Sequence, residues 1–263
     1  MRDRSGRIVL NADDLFKMLP EYEANPADRK ILGPMLYPTA RKFTDEIYER
    51  LLSQPLGSED TIMLTAGGSA TGKSTILRTD GRRPGVEFIL DTTFSNTERG
   101  LLQIEKALEA GRKVEIQYVY RGFKSLVIAM LRRALDPASG RIVPIDDMAR
   151  THFGAQRAIL AALARFQDDG RVAIVLKENG RDGKLRILSE KKFARKLHPS
   201  VDRLQKVGRH VLDKFFRKER GKRRDDGDDQ NAGGKKLHVS QDFYEAARSK
   251  AQARGASADE VDA

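Results

Sequence analysis

The sequence contains no cysteine among its 263 residues, and this absence excludes several classes of protein. Without thiols the chain can form neither a disulfide framework nor a cysteine-ligated zinc cluster, and it has no thiol nucleophile. Redox chemistry would require a bound cofactor. A chain of this composition suits a reducing compartment, and we expect a cytoplasmic protein.

Long apolar runs are missing as well. No stretch approaches the roughly 20 apolar residues that a helix needs to cross a bilayer. Residues 1–7 are mostly charged and lead into the chain without the apolar segment of a signal peptide. These features predict a protein without a membrane span or a secretion signal.

Positive charge is in excess, with 49 Lys and Arg against 38 Asp and Glu and a formal net charge of +11. Such a charge attracts polyanions, and a nucleotide, a nucleic acid or an acidic protein would each satisfy it. The basic segment 191–224 has few aromatic side chains on which bases could stack. This composition argues against specific nucleic-acid recognition.

Short apolar segments alternate with segments of helical periodicity, and this alternation predicts an α/β fold. We expect a parallel sheet of the P-loop NTPase or kinase type, covered by helices on both faces. Strands are predicted at residues 7–10, 61–66, 86–90, 114–120 and 171–176. Helices are predicted at residues 38–52, 98–110, 124–135 and 146–166.

The C-terminal part of the chain has a different composition, rich in charge and poor in apolar residues. We predict a catalytic domain over residues 1–217 and a charged, mostly disordered tail over 218–263. A short helix near residues 241–252 is expected within this tail.

The segment from Gly67 to Ser74 has the pattern Gly-x-x-x-x-Gly-Lys-Ser, which is the P-loop motif. In this motif backbone N–H groups face the phosphates of a nucleotide, the lysine reaches the β- and γ-phosphates, and the serine hydroxyl binds Mg²⁺. The alternative is a Gly/Ser-rich linker, which the flanking strand and helix disfavour. We expect ATP or GTP with Mg²⁺ to bind at Gly67, Gly68, Ser69, Ala70, Thr71, Gly72, Lys73, Ser74 and Thr75, with Ser74 as the metal ligand.

Acidic residues follow two of the predicted strands. Asp91 and Thr93 come after the strand at 86–90, and Asp13 and Asp14 come after the strand at 7–10. Ligands of open α/β sheets bind at the carboxyl ends of the strands, so these side chains are candidates for the site. Because Asp and Thr also favour helix starts, a helix cap is the alternative for both groups.

Arginines surround the turn-rich segment 136–144, among them Arg132, Arg133, Arg141 and Arg150. If this segment forms a lid, its arginines would neutralise charge on the transferred phosphoryl group. A solvated basic surface is the alternative. His152 and His198 have no partners at metal-ligand spacing and are interpreted as structural histidines.

Taken together, the P-loop, Asp91-Thr92-Thr93-Phe94, Tyr118-Val119-Tyr120-Arg121 and Gly140-Arg141-Ile142-Val143-Pro144 resemble the zeta-toxin family. The resemblance extends over residues 8–190. It implies a P-loop kinase that transfers phosphate from ATP to a hydroxyl of a sugar nucleotide such as UDP-N-acetylglucosamine. It also implies a toxin whose partner is a small antitoxin protein.

The resemblance also assigns roles to individual residues. Ile8-Val9-Leu10-Asn11-Ala12-Asp13, followed by Pro20, is similar to the strand that carries the family's general base, which selects Asp13. We expect this strand to lie beside the P-loop strand, so that Asp13 faces the γ-phosphate side of the site. Asp91 stands at the position of the family's Glu in its Glu-Gly-Thr motif, and Thr93 matches the Thr, so both are expected to bind substrate. Arg141 matches the lid arginine, and Arg150 is a second lid arginine. Lys73 and Arg141 join Asp13 and Arg150 as the expected catalytic residues.

The order of these segments departs from the family's usual order. In zeta toxins the base-bearing strand follows the P-loop, whereas here the similar segment precedes it by about fifty residues, as in a permuted chain. The prediction is a zeta-toxin-like kinase of a toxin–antitoxin pair. Two alternatives are a non-toxic small-molecule kinase and a nucleotide-gated protein that binds nucleic acid or a partner.

Overall fold

The computed structural model describes residues 7–16, 18–20, 29–55, 57, 60–73, 77, 84–135 and 143–225. The chain divides into two compact units, residues 1–208 and 209–263. Within the described ranges, no helix combines the length and the apolar character that a membrane span requires.

A six-stranded sheet forms the centre of the first unit, with the strand order β1-β3-β2-β4-β5-β6. The first five strands in this order are parallel, and β6 is antiparallel to β5. The predicted α/β class with a parallel sheet is therefore confirmed. The strands are β1 (Ile8–Leu10), β2 (Thr61–Ala66), β3 (Val86–Asp91), β4 (Lys113–Tyr120), β5 (Val172–Asn179) and β6 (Leu185–Ile187).

Helices connect the strands, as crossovers between parallel strands require. The described helices are α1 (Ala12–Phe16), α2 (Arg29–Leu52), α3 (Thr97–Glu109), α4 (Phe123–Leu135), α5 (Ile145–Phe166), α6 (Glu190–Ala194) and α7 (Val201–Asp225). Four of them agree with the predicted helices in position, and α6 and α7 were not predicted.

Apolar side chains fill both faces of the sheet. On one face, Ile62 and Phe88 belong to the main core, which also contains Tyr48 of α2, Ile104 of α3 and Ile159 of α5. On the other face, a second cluster contains Met63, Val86 and Ile89, with Leu77 packed against it. Ile62 and Met63 of β2 thus point to opposite faces, as do Phe88 and Ile89 of β3, and both faces are covered.

The position of β1 differs from the prediction that it lies beside the P-loop strand. β1 pairs with β3, with Val9 opposite Ile89, and β3 in turn pairs with β2, with Met63 opposite Ile89. The predicted neighbour of β1 was therefore wrong, because β3 lies between β1 and the P-loop strand β2. The apolar β3, which is buried on both faces, lies inside the sheet, whereas the three-residue β1 suits an edge.

Helix α2 begins at Arg29, nine residues before the predicted start at residue 38. Pro34 and Pro38 lie within it, although proline lacks the N–H that an interior helical position donates. Leu32, Leu36 and Ala40 pack with Phe16 and Leu15 of α1 in a small apolar cluster. This packing favours the helix despite the prolines.

Helix α7 continues through residues 218–225, the first part of the segment that was predicted to be disordered. The lysine, arginine and glutamate residues that suggested a solvated tail are also good helix formers. Residues 226–263, with the short helix predicted at 241–252, lie outside the described residues.

Arg112 connects the ends of α2 and α3 to the sheet, and its side chain is only 2% exposed. Nη1 donates to the carbonyl oxygen of Leu52 at 2.6 Å, and Nη2 donates to that of Gln54 at 2.7 Å. Nε donates to the carboxylate of Glu87 in β3 at 3.1 Å. This arginine satisfies carbonyls at a helix end that would otherwise lack partners.

Candidate functional site

The P-loop leaves the carboxyl end of β2 in a conformation that requires its glycines. Gly67 and Gly72 have φ values of 127° and 111°, a region that other residues rarely adopt. A Cβ at Gly67 would approach the carbonyl oxygen of Val119 to 2.5 Å. Ala70, in the turn that it forms with Ser69, also has a positive φ of 61°. This conformation costs an alanine roughly 1–2 kcal/mol.

Three hydrogen bonds hold the P-loop against the ends of neighbouring strands. The N–H of Gly67 donates to the carbonyl of Thr93 after β3, with 3.0 Å between N and O. Arg121, which follows β4, donates from Nη1 to the carbonyl of Ala70 at 3.2 Å. Asn179 at the end of β5 donates from Nδ2 to the carbonyl of Thr71 at 2.8 Å. The carbonyl groups of Ala70 and Thr71 are therefore turned towards the ends of β4 and β5.

Lys73 lies at the end of the loop, where the chain becomes helical. Its Nζ donates to the carbonyl oxygens of Gly67 at 2.9 Å and Gly68 at 3.2 Å, so the ammonium group lies over the loop. Ser74 and Thr75, the predicted metal ligand and its neighbour, lie outside the described residues.

Asp91 lies at the carboxyl end of β3 and accepts two side-chain hydrogen bonds. Thr65 donates to Oδ1 at 2.6 Å, and Asn11 donates to Oδ2 at 2.9 Å. Burial raises the pKa of the Asp91 carboxyl above its usual value; the charge of Lys73 opposes this shift, and Asp13 and Asp14 reinforce it. Asp13, Asp14 and Lys73 thus lie close enough to Asp91 for their charges to act on its carboxyl group.

Asp13 and Asp14 occupy the first turn of α1, and Asn11 caps this helix. The N–H of Asp13 donates to Oδ1 of Asn11 at 2.8 Å, and the N–H of Asp14 donates to its carbonyl at 3.1 Å. The Asn11 side chain thus accepts a hydrogen bond from the start of α1 through Oδ1 and donates one to Asp91 through Nδ2.

A cavity of about 290 Å³ lies beside this turn, between β1, α1 and α2. Asp14 contributes to its wall, and Asp13 does not. Its lining is mostly apolar and consists of Val9, Leu10, Asn11, Asp14, Leu15, Met18, Thr44 and Ile47. A larger cavity of about 530 Å³ between α5, β5 and α6 contains none of the predicted site residues.

Thr93 contributes its backbone to the P-loop, and its Oγ1 lies 2.9 Å from Oγ of Ser95. The segment that follows is packed closely, with Phe94 at a positive φ of 53°. A Cβ at Gly100 would come within 2.7 Å of the Phe94 ring, and one at Gly154 within 2.2 Å of the Ser95 carbonyl oxygen. These glycines allow α3 and α5 to fix the end of β3.

The predicted lid arginines are not assembled with the P-loop by any contact among the described residues. Arg150 lies in the second turn of α5, where it is about half exposed and pairs with Asp147. Arg141 lies outside the described residues.

Several residues at the site were missed by sequence analysis. Asn11 and Arg121 each directly follow a strand, so the strand-end rule that selected Asp91 also pointed to them. Asn179 was missed because β5 was predicted to end three residues too early. Thr65 lies inside β2, and its hydroxyl carries no signal in the sequence.

His152 of α5 was interpreted as structural, and it packs against the P-loop. A Cβ at Gly68 would lie 3.1 Å from the Cα of His152. The His152 side chain is 1% exposed, and neither ring nitrogen has a hydrogen-bond partner among the described residues. Burial, with a smaller contribution from His198, lowers the pKa of His152 to about 3. The imidazole is therefore neutral at physiological pH.

Three comparisons relate the chain to known proteins. A family model described as Zeta toxin matches residues 79–192, which contain Asp91, Thr93, Arg141 and Arg150; the P-loop and Asp13 precede the matched range. No curated protein matches the sequence.

Among solved structures, the chain is similar to the AvrRxo1-ORF1:-ORF2 complex, with a TM-score of 0.46 and 16% identity over 74% of this chain and 88% of that chain. The same complex with ATP gives a TM-score of 0.45 at 16% identity and the same coverage. A structure of the PezAT chromosomal toxin–antitoxin system of Streptococcus pneumoniae gives 0.39 at 10% identity, over 65% of this chain and 97% of that chain. The resemblance of this chain to the zeta toxins, which its sequence motifs indicate, is confirmed by the family match over residues 79–192.

Proposed function

We propose that this protein is a zeta-toxin-like kinase that transfers the γ-phosphoryl group of ATP to a hydroxyl of a small molecule. The observation that carries the proposal is that Asn11 ties the turn with Asp13 and Asp14 to Asp91, which ends the strand beside the one that leads into the P-loop. Phosphoryl transfer needs cations at the phosphates and a carboxylate near the acceptor hydroxyl, and this site supplies both types of group side by side.

The nucleotide binds in the P-loop. The carbonyls of Gly67, Ala70 and Thr71 are engaged by Lys73, Arg121 and Asn179, and this arrangement supports a loop whose N–H groups face the phosphates. Lys73 exchanges its bonds to the loop carbonyls for bonds to the β- and γ-phosphates. The proposal admits ATP or GTP, because no described contact identifies the base.

The acidic residues fit a Mg²⁺ ion that arrives with the nucleotide. Mg²⁺ at such sites is held by one or two protein groups together with phosphate oxygens and water. Within the described ranges, no group of three or more His, Asp or Glu side chains forms a metal site of its own. Asp91 is a carboxylate whose buried charge a cation would compensate, and we propose it with the Ser74 hydroxyl as the protein's contribution to the ion. Bound there, Mg²⁺ would neutralise charge on the phosphates.

In the proposed reaction, the acceptor oxygen forms a bond to the γ-phosphorus as the bond from this phosphorus to the β–γ bridging oxygen breaks. ADP leaves with the bridging oxygen, and the acceptor's proton passes to a carboxylate. We propose Asp13 for this carboxylate, because the family resemblance assigns it the role of base and because Asn11 links its backbone N–H to Asp91. Arg141 and Arg150 are proposed to approach the phosphates as lid residues.

The acceptor is proposed to occupy the cavity between β1, α1 and α2. Asn11 joins this cavity to Asp91, and Asp14 in its wall can accept a hydrogen bond from an acceptor hydroxyl. No lysine or arginine is among the described residues that line the cavity, so these residues offer no cation to an anionic part of the acceptor. A sugar nucleotide fits if its sugar enters and its phosphates remain outside. Thr93 and Asp91 are proposed to contact the acceptor at the mouth.

The toxin role and the antitoxin partner rest on the family resemblance. They lead to a direct test with Lys73→Ala, compared with Lys124→Ala, which removes an exposed lysine of α4. We expect Lys73→Ala to abolish ADP release by the purified protein and to relieve growth inhibition on expression, whereas Lys124→Ala behaves as wild type. Unchanged turnover in folded Lys73→Ala would refute the kinase proposal. Turnover without growth inhibition would favour a non-toxic kinase.

A further inference from the structure

Arg121 is a half-buried cation for which no described residue supplies an anionic partner. It follows β4 directly, and its single hydrogen bond to the described residues runs from Nη1 to the carbonyl of Ala70 at 3.2 Å. Its Nε is enclosed and has no hydrogen-bond partner among the described residues, and no described carboxylate pairs with the guanidinium. Nη2 likewise donates to no described residue, so this donor is left for a ligand.

A second arginine makes the partly buried positive charge of Arg121 less favourable. Burial and the positive charge of Arg132 on α4 both lower the pKa of the Arg121 guanidinium from its usual value. Two neighbouring cations, one of them partly desolvated, destabilise the protein unless an anion compensates them.

The location of Arg121 indicates which anion this is. In the sheet, β2 lies between β3 and β4, so Asp91 and Arg121 extend from the strands on either side of the P-loop strand. Ala70, whose carbonyl Arg121 holds, has the strained positive φ that turns the loop. Lys73 and Arg121 therefore lie at the same phosphate-binding loop, and the acidic residues lie on its other side.

We propose that Arg121 is a phosphate ligand of the nucleotide. This inference rests on the proposed nucleotide site. The guanidinium keeps its bond to Ala70 and presents Nη2 to a phosphate oxygen, a planar geometry that suits phosphate. Arg121 thereby supplies from within the chain a charge that stabilises the transferring phosphoryl group.

The competing explanation is purely structural, namely that Arg121 only fastens the strained turn at Ala70. The two roles differ in their dependence on salt and on the nucleotide base. A phosphate contact weakens as salt screens the charges, and it acts equally on a ligand that has phosphates but no base. A structural fastener stabilises the protein without any ligand.

The test compares wild type with Arg121→Met, Arg121→Lys and Arg132→Met in the full chain. Arg165→Met is the control, because it removes an equal charge from an exposed arginine that pairs with Glu105. Isothermal titration with MgATP and with inorganic tripolyphosphate gives the affinities at 50 and about 500 mM KCl, and thermal unfolding without ligand gives stability.

For Arg121→Met we expect both ligands to bind about tenfold more weakly or worse at low salt, with a shallower salt dependence and no fall in the unfolding temperature. Arg121→Lys and Arg132→Met lose less, and Arg165→Met binds as wild type. Unchanged affinity of Arg121→Met overturns the proposal, and so does weaker binding with unaltered salt dependence and a lower unfolding temperature. Lys73→Ala distinguishes failure of the Arg121 proposal from failure of the proposed nucleotide site. If Lys73→Ala loses tripolyphosphate binding and Arg121→Met does not, the nucleotide site stands and the role of Arg121 fails.

Discussion

Asn11 donates a hydrogen bond to Asp91, with 2.9 Å between Nδ2 and Oδ2, although 80 residues separate them in the chain. The bond joins the carboxyl ends of β1 and β3. A second donor, the Thr65 hydroxyl on β2, holds the other carboxylate oxygen at 2.6 Å. The three neighbouring strands thus converge on one carboxylate, and the segment before the P-loop contributes directly to the site.

This relationship predicts the effect of removing the amide. In Asn11→Ser and Asn11→Ala, Asp91 loses a hydrogen bond that stabilises its charged form, so we expect turnover to fall about tenfold in both. Serine still caps α1, whereas alanine does not, so Asn11→Ala should be about 1 kcal/mol less stable than Asn11→Ser. Turnover and urea unfolding of the two variants give the comparison. A turnover loss confined to Asn11→Ala would assign Asn11 to the helix cap alone.

Much of the fold is predictable from the sequence because apolar patterning and glycine punctuation are strong local signals. β2 has the bounds that its apolar run predicts, and Gly111 separates α3 from β4 as expected. The neighbour of β1 was predicted incorrectly, because strand order depends on crossovers that no local pattern encodes. The contacts of Thr65 and Asn179 are likewise long-range, and neither residue type is unusual in its segment.

The paired carboxylates after β1 predict different kinetic effects. Asp13→Asn removes the proposed proton acceptor, so we expect turnover to fall about a hundredfold or more with ATP affinity unchanged. Asp14→Asn alters the cavity wall, so we expect a higher KM for the acceptor and a kcat close to wild type. Initial rates with UDP-N-acetylglucosamine as the first acceptor give both constants, and growth on expression ranks the variants independently. A dead Asp14→Asn beside an active Asp13→Asn would exchange the two roles.

Arg112 predicts a large effect on stability without a direct effect on chemistry. Arg112→Met leaves the buried carbonyls of Leu52 and Gln54 and the carboxylate of Glu87 without their donor. We expect a loss of about 3–5 kcal/mol in the free energy of unfolding, measured by urea denaturation. Lys113→Met is the control, because its exposed pair with Asp60 should contribute little to stability. Equal losses in the two variants would contradict the role assigned to Arg112.

His152 predicts how stability depends on pH. Its pKa is lowered from 6.5 to about 3 by burial, so the folded protein keeps the ring neutral while the unfolded chain takes up a proton below about pH 6.5. The folded state therefore loses stability as the pH falls from about 6.5 towards 3, by up to about 1.4 kcal/mol per pH unit from this group. In His152→Leu this contribution disappears, and no hydrogen bond is lost, because neither ring nitrogen has a described partner.

The measurement is the free energy of unfolding of wild type and His152→Leu between pH 7 and pH 4, with the exposed His210→Gln as control. The difference between wild type and His152→Leu cancels the carboxylates that both proteins titrate, so its slope reports His152 alone. We expect this difference to change by about 1.4 kcal/mol per pH unit below pH 6. His210→Gln, which removes an exposed imidazole of α7, controls for the loss of a histidine elsewhere in the chain. Parallel curves for wild type and His152→Leu would mean that the ring of His152 is protonated in the folded protein. His152 would then contribute a positive charge beside Gly68 of the P-loop, and ATP affinity should rise as the pH falls.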